Sequence, residues 1–370
     1  MKRLLCIVGS MDAGGAETFL MKVYRNMDRT KYQMDFCVAV KKPGFYDEEI
    51  RSLGGKILYT VPKSKGMLKS FMTICKIVKD NQYKYVLRVS QHSLSALELL
   101  AARLGGAKVL AFRSSNSKTI GGKVNCLLHE VCKPLANIVP NVKIAPSTEA
   151  AEFMFGKKCV KKGKTILLQN GLDTNVYKFS EEARENLRKE LDVEDNFVIG
   201  HVGRFNFQKN HEFLIDVFAE VKKQKSNAVL VLIGKGELEE RVKEKVKTLG
   251  LEDSVMLLGV RDNVSQLLSA MDIFVFPSLF EGMPNTVVEA QTNGLPCVVS
   301  TNITREVEIT DLVCFKSLEE HPQKWAECII NIEKEQQSRS GYYMKLIEEG
   351  YDIKDSSYNF VKCIFERENK

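Results

Sequence analysis

At 370 residues the chain is longer than one hydrophobic core usually serves, so two domains are expected, and its 44% hydrophobic and 27% charged content is that of a soluble globular protein. No apolar run approaches the roughly 20 residues that a bilayer span needs, and the short apolar start is followed at once by Asp12 and Glu17, which reads as a first strand rather than a signal peptide. The formal charge of +7 is unevenly placed: residues 1–172 carry 29 Lys and Arg against 12 Asp and Glu, a balance of +17, whereas residues 173–370 carry 25 against 35, a balance of −10.

In chain order, short β-branched runs alternate with amphipathic stretches, the pattern of parallel sheets covered by helices. The first half predicts a strand at Leu4–Gly9, a loop through Gly14-Gly15, a helix from about Ala16, and strands at Tyr85–Val89, Ala107–Ala111 and Ile144–Ala145. Ser93–Leu104 has helical spacing and stops at Gly105-Gly106. Lys164–Leu168 with Gln169-Asn170-Gly171-Leu172-Asp173 reads as a strand and turn, and the domain boundary is set there, at 172/173. The second half predicts an exposed helix at Ser180–Asp192, strands at Phe197–Val202, Ala228–Ile233, Val255–Leu258 and Ile273–Phe276, and helices at Asn210–Lys223, Glu237–Leu249 and Val264–Ala270. Another helix opens at Pro284-Asn285 and stops at Gly294-Leu295-Pro296, and the tail from about Tyr342 reads as helical and polar.

The charge split admits two readings. Either the halves carry differently charged solvated surfaces, or the basic half faces an anionic partner such as a membrane surface or a phosphate-bearing acceptor. Nucleic acid ranks below both, because no helix-turn-helix, zinc-finger or aromatic RNA-binding signature accompanies the charge. The ten cysteines are scattered without a Cys-x-x-Cys, which argues for reduced thiols in a cytosolic protein rather than disulfides or a zinc site.

Chemistry-bearing residues gather where predicted strands end. Glu281 follows the strand Ile273–Phe276 and Glu289 lies in the next helix, so both stand at the edge of an α/β sheet where ligands bind. Amides at that helix start suit an anion, and the carboxylates suit hydroxyl groups. After Val202 comes Gly203-Arg204-Phe205-Asn206-Phe207-Gln208-Lys209, whose glycine admits close approach and whose two cations can grip adjacent phosphates. Gly234 and Gly236 end the next strand in the same way, and Gly14-Gly15 can admit a phosphate in the first half. None of these loops is a Gly-x-Gly-x-x-Gly or Walker fingerprint.

Taken in order, Gly14-Gly15-Ala16-Glu17, Pro146-Ser147-Thr148-Glu149-Ala150, Asn170-Gly171-Leu172-Asp173, Gly203-Arg204 with Lys209, and Glu281-x7-Glu289 closing at Gly294-Leu295-Pro296 resemble the retaining glycosyltransferases of family 4 over nearly the whole chain. The run from Gly203 to His211 and the block from Phe276 to Pro296 look most like the branch that assembles capsule, exopolysaccharide and O-antigen. The resemblance implies the α/β GT-B architecture: two Rossmann-like, doubly wound parallel-sheet domains facing across a cleft. Residues 1–172 would form the acceptor side, 173–345 the nucleotide-sugar donor domain, and 346–370 a helix returning to the first domain.

It also implies roles. Arg204 and Lys209 would neutralise the donor diphosphate as its charge grows, Glu281 would hold hydroxyls of the transferred sugar, and Glu289 the ribose. Gly203, Gly234, Gly236, Gly282, Met283, Asn285 and Thr286 would line the donor, and Gly14 and Gly15 would lie near its phosphates and the acceptor. The donor would be a nucleotide diphosphate sugar, UDP by family frequency, and the acceptor a saccharide or polyprenyl-diphosphate-linked glycan at the inner face of the membrane. No metal or other cofactor is expected, and no nucleophile is assigned.

The chain departs from its relatives in one place. Where many carry His-Ser-His-Asn, this sequence has Arg113-Ser114-Ser115-Asn116, and arginine cannot exchange a proton near neutral pH. Arg113, Ser115 and Asn116 stay as acceptor-side candidates, joined by His92, which is either a partial substitute for the missing imidazoles or a structural histidine. The absent histidines keep open a non-catalytic nucleotide-sugar-binding subunit. Paired carboxylates also admit a glycoside hydrolase, although that reading leaves the cations at 204 and 209 without a task.

Overall fold

The computed structural model describes residues 1–12, 14–115, 122–334 and 338–366. They form two compact units, one made of Met1–Gly171 with the segment from Gly350 onward, the other of Leu172–Glu349.

The first unit is built on β1 (Lys2–Ile7), β2 (Tyr32–Val38), β3 (Ile57–Tyr59), β4 (Tyr85–Ser90), β5 (Val109–Ser114), β6 (Val142–Ala145) and β7 (Ile166–Leu167). All pairs are parallel, in the order β3-β2-β1-β4-β5-β6-β7, with Leu4 of β1 opposite Met34 on one side and Tyr85 on the other. Helices cover both faces. One face buries Phe19, Leu20 and Val23 of helix Gly15–Asn26 together with Phe360 and Ile364 of the last helix, Ile353–Phe365. The other buries Ile74, Leu99, Ala136 and Met154, one from each of four successive helices.

The second unit repeats the plan with β8 (Phe197–Val202), β9 (Ala228–Ile233), β10 (Val255–Gly259), β11 (Ile273–Phe276), β12 (Cys297–Ser300) and β13 (Val313–Lys316), in the order β10-β9-β8-β11-β12-β13. These strands are continuous apolar runs because both sheet faces are covered, and β9 is buried along its whole length. Among the described residues no helix is long and apolar enough to cross a membrane.

Several elements depart from the periodicity, each for a local reason. β2 escapes it because Asp35 interrupts its apolar run. That carboxylate is nonetheless fully buried, accepting from Arg3 at 2.6 Å, the Tyr83 hydroxyl at 2.7 Å and the Lys56 amide at 2.8 Å. The predicted strand at Ala107–Ala111 lies two to three residues further on, since Ala107 and Lys108 finish the preceding turn. The tail is two helices rather than one. Tyr342–Glu348 belongs to the second unit, and Ile353–Phe365 is an apolar-faced helix whose Phe360 meets Phe19 at 6.1 Å between ring centres.

Candidate active site

In an open parallel sheet the two central strands send their following loops to opposite sides, and the gap between those loops is the natural ligand crevice. In the second unit the switch falls between β8 and β11, so Gly203 and Glu281 are delivered to one place by topology alone. In the first unit it falls between β1 and β4, whose loops carry Gly14 and His92.

The loops after β8 and β9 are laced together by backbone bonds. Gly203 N–H donates to Ile233 O at 2.9 Å, Phe205 N–H to Lys235 O at 3.1 Å, and Leu238 N–H to Phe205 O at 3.0 Å. Glycine is required for that closeness. A Cβ on Gly234, which has φ +136°, would stand 2.1 Å from Gly203 O, and one on Gly236 would stand 2.3 Å from Phe205 O. Gly203 itself makes room for the stem of Lys209, whose Cγ and Cδ lie 3.2 Å from where its Cβ would be.

A second lacing joins the β8 loop to the β11 loop. Asn206 Oδ1 accepts from Lys209 N–H at 3.2 Å and caps a single 3₁₀ turn, and Asn210 takes the left-handed conformation (φ 56°) that turns the chain into helix His211–Gln224. Asn210 Nδ2 then donates to Pro277 O at 3.2 Å, Gln208 Nε2 to Phe280 O at 2.9 Å, and Leu279 N–H to Gln208 O at 2.9 Å. The result is an ion pair between Lys209 Nζ and Glu281 Oε1 at 2.8 Å, with the side chains only 16% and 12% exposed. The ammonium also lies 4.5 Å from the centre of the Phe276 ring. Partial burial strengthens this cation's field.

Arg204 is not gathered into that pair. Its guanidinium is exposed and lies 3.4 Å from the exposed carboxylate of Glu237, so the two cations expected side by side have separate partners here. Pro284 is the N-cap of helix Asn285–Thr292, with Asn285 as its first residue, and no side chain caps it. Val287 N–H and Val288 N–H both donate to Pro284 O, at 3.1 and 3.3 Å, and Pro284 has no N–H of its own to offer. Gly282 is buried and Met283 half-buried beside this start, while the buried Thr286 Oγ1 and Ser278 Oγ have no hydrogen-bond partner among the described residues. Glu289, one turn further on, accepts from the Tyr177 hydroxyl, whose pKa is raised first by burial and then by that carboxylate. Sequence reasoning passed over Tyr177, which sits in the short segment after Asn170-Gly171-Leu172-Asp173, and over Ser278.

Below these loops lies a pair of buried histidines, the first of them a packing residue of its strand. His201 in β8 is fully buried, its Nδ1 lies 2.8 Å from Val275 O, and its ring meets that of His211 at 4.7 Å. His211 stacks on Phe205 at 4.2 Å, and neither its ring nitrogens nor His201 Nε2 find a partner among the described residues. Burial, with His201 and His211 opposing each other's charge and Lys209 nearby, pushes the His201 pKa well below 6.5; burial and then Lys209 push that of His211 down to about 4. Because the folded-state values are depressed, this contribution to stability is complete above pH 6.5 and is lost as the pH falls towards 4. For His211 it is on the order of 3 kcal/mol. Denaturant unfolding at pH 7 and pH 4.5 is expected to show that loss, and His211→Phe to flatten it; an unchanged slope in the variant would contradict the assignment.

In the first unit, Gly14 precedes helix Gly15–Asn26, and a Cβ there would lie 2.4 Å from Glu17 Oε2. Arg113 lies in the interior of the first unit. Its side chain is buried, stacks 3.9 Å from the Phe19 ring centre, and donates to Asn170 Oδ1 at 2.6 Å and Leu168 O at 3.3 Å, so it ties β5 to the segment after β7. His92 resolves towards its structural reading: Nδ1 accepts from Leu94 N–H at 3.1 Å, which leaves Nε2 to donate to Asn125 O at 3.0 Å. Ser115 N–H donates to Ser90 O at 3.2 Å, and Asn116 lies outside the described residues. Among the described residues no group of three or more His, Cys, Asp or Glu side chains could hold a metal ion.

Comparison with known proteins agrees with this geometry. Residues 183–352 match the family model described as glycosyl transferases group 1. A Bacillus subtilis protein named as the glycosyltransferase EpsF is 34% identical over 333 residues, covering 89% of this chain and 87% of its own. An Escherichia coli UDP-Gal:alpha-D-GlcNAc-diphosphoundecaprenol alpha-1,3-galactosyltransferase is 29% identical over 72% of each chain. Among solved structures, Anabaena HepE in complex with UDP superposes with a TM-score of 0.79 at 23% identity, over 98% of this chain and 99% of that one. Two doubly wound parallel-sheet units, the laced Lys209–Glu281 edge and this similarity along the chain lead to one conclusion: the chain belongs to the group 1 glycosyltransferases, with the GT-B fold.

Proposed function

We propose that the second unit binds a nucleotide diphosphate sugar, with UDP as the nucleotide, and that the enzyme transfers the sugar with retention of configuration to a lipid-linked saccharide. The observation that carries this reading is the Lys209–Glu281 pair, held at the switch point by two laced loops. Lys209 faces the diphosphate. As the glycosidic bond breaks, negative charge grows on the leaving phosphate, and a fixed, largely desolvated ammonium stabilises that charge more in the transition state than in the ground state. Glu281, relieved of its lysine, accepts hydrogen bonds from hydroxyls of the transferred sugar, while the first-turn amides and Thr286 Oγ1 donate to phosphate oxygens. Glu289, oriented by Tyr177, accepts from the ribose. The leaving phosphate itself takes the acceptor's proton on the same face of the sugar, so no protein nucleophile is invoked.

Support for UDP comes from HepE, solved with UDP and with UDP-glucose, and for a diphosphate-lipid acceptor from the galactosyltransferase named above. A melting panel with UDP-, GDP- and ADP-sugars tests the donor: UDP-sugars are expected to stabilise the protein most. Glu289→Ala is expected to weaken UDP binding by about tenfold or more through the lost charged hydrogen bond to ribose. Unchanged affinity in that variant would remove the ribose assignment.

A further inference from the structure

Two cysteines meet at the edge of the second sheet. Cys314 lies in β13, the edge strand, and Cys328 in helix Pro322–Lys334, and both pack against the same hydrophobic core. Their Sγ atoms stand 3.1 Å apart, about 1 Å beyond the length of a disulfide bond. The approach is held from several sides. Trp325, fully buried one turn before Cys328, donates from Nε1 to Ser317 O at 2.8 Å. Glu320 accepts from Ser317 N–H at 3.0 Å and from Lys316 Nζ at 3.1 Å. The turn between strand and helix is thereby fixed, and it brings together two sulfurs 14 positions apart in the chain.

The pair differs chemically from the cysteines of the interior. Burial pushes the thiols of Cys6, Cys37 and Cys297 up, which leaves them inert. Cys314 and Cys328 are only half-buried, and beside them runs a groove of about 300 Å³ lined by Lys316, Lys324, Glu327, Cys328, Asn331 and Ile332. The charges around it are paired, Lys316 with Glu320 and Lys324 with Glu327 at 2.8 Å. Within that setting the hydrogen bond from Cys328, and then the nearby Lys316, bring the Cys314 thiol below its ordinary range, while Cys328 keeps its proton. Among the described residues no third His, Cys, Asp or Glu joins the pair to hold a metal ion. A thiolate in contact with a thiol is instead the arrangement that two-step oxidation uses.

We propose that Cys314 and Cys328 form a reversible thiol–disulfide pair that is oxidised by hydroperoxides. The Cys314 thiolate attacks the peroxide: an S–O bond forms, the O–O bond breaks, and hydroxide leaves when the oxidant is hydrogen peroxide. The Cys328 sulfur then attacks the sulfenic sulfur. The S–S bond forms, the S–O bond breaks, and the hydroxyl departs as water with the Cys328 proton. Two electrons pass from the pair to the peroxide, and an external dithiol returns them. The bond staples the edge strand to its neighbouring helix and closes a short loop.

The test is peptide mapping of the full chain by mass spectrometry, before and after hydrogen peroxide, with iodoacetamide capping the remaining thiols. A Cys314–Cys328 cross-link is expected, removed by dithiothreitol and formed at least about tenfold faster than the exposed Cys126 is oxidised. In Cys328→Ser the reaction is expected to stop at the sulfenic acid, trapped on Cys314 by dimedone, whereas the wild-type chain resolves it and gives little adduct. The cross-link is also expected to raise the melting temperature by about 5 °C, a gain that peroxide-treated Cys314→Ser lacks. Melting of the reduced variants checks that they fold, and the wild-type mapping stands whether or not they do. Both thiols still open to iodoacetamide after peroxide, or both oxidised without joining, would overturn the inference.

Discussion

Glu281→Gln is expected to lower sugar transfer by about two to three orders of magnitude, the range seen when a single preorganised group at a reacting centre is lost. The replacement keeps the shape of the side chain and removes its charge. Glu281 holds Lys209 at 2.8 Å, and both side chains are largely buried, so the amide weakens two things at once: acceptance of sugar hydroxyls and the aim of the ammonium. Folding is affected far less, by about 1 kcal/mol, because the pair still reaches solvent and the backbone lacing through Gln208 does not depend on the carboxylate. Initial rates with saturating donor, set beside a melting curve, separate the two effects. Near-wild-type transfer would mean that the site lies elsewhere.

The largest expected effect on stability is that of Gly234→Ala. The residue has φ +136°, a region that side chains rarely enter, and the new methyl would lie 2.1 Å from Gly203 O, a backbone atom that cannot swing aside. Relief requires the β8 and β9 loops to part, breaking the bonds at Gly203 and Phe205, at a cost of about 3 kcal/mol or more. Gly250→Ala is the matched control. Its φ is +64° but nothing lies within 4 Å of the added Cβ, so only the left-handed conformation is penalised, by about 1 kcal/mol. Denaturant unfolding of both variants is the measurement. If the two lose equal stability, the loops are not packed as described.

The fold was legible in the sequence because parallel, doubly covered strands leave apolar runs: β8, β9 and β11 lie where those runs lie, the first two running into Gly203 and Gly234. What hid was polar and buried. Asp35 concealed β2, since nothing local announces that Arg3, Tyr83 and a backbone amide will converge on it. The surroundings of Arg113 were hidden for the same reason, as its partners Phe19, Leu168 and Asn170 lie far from it along the chain. At the site, Lys209 and Glu281 were legible as strand-end residues, but their direct contact depends on Gln208 and Asn210 reaching the β11 loop. Tyr177 and the His201–His211 floor were silent, because an aromatic or imidazole on an apolar face reads as packing until its neighbours are known.

Lys209, paired with Glu281, is the proposed seat of a nucleotide diphosphate. That assignment is tested most directly by calorimetric titration of UDP into the wild-type protein and into Lys209→Met. One UDP is expected to bind per wild-type chain, with affinity at least about tenfold weaker in the variant, which both loses the cation and leaves Glu281 to repel the diphosphate. Equal affinities, or no heat of binding in the wild type, would contradict it.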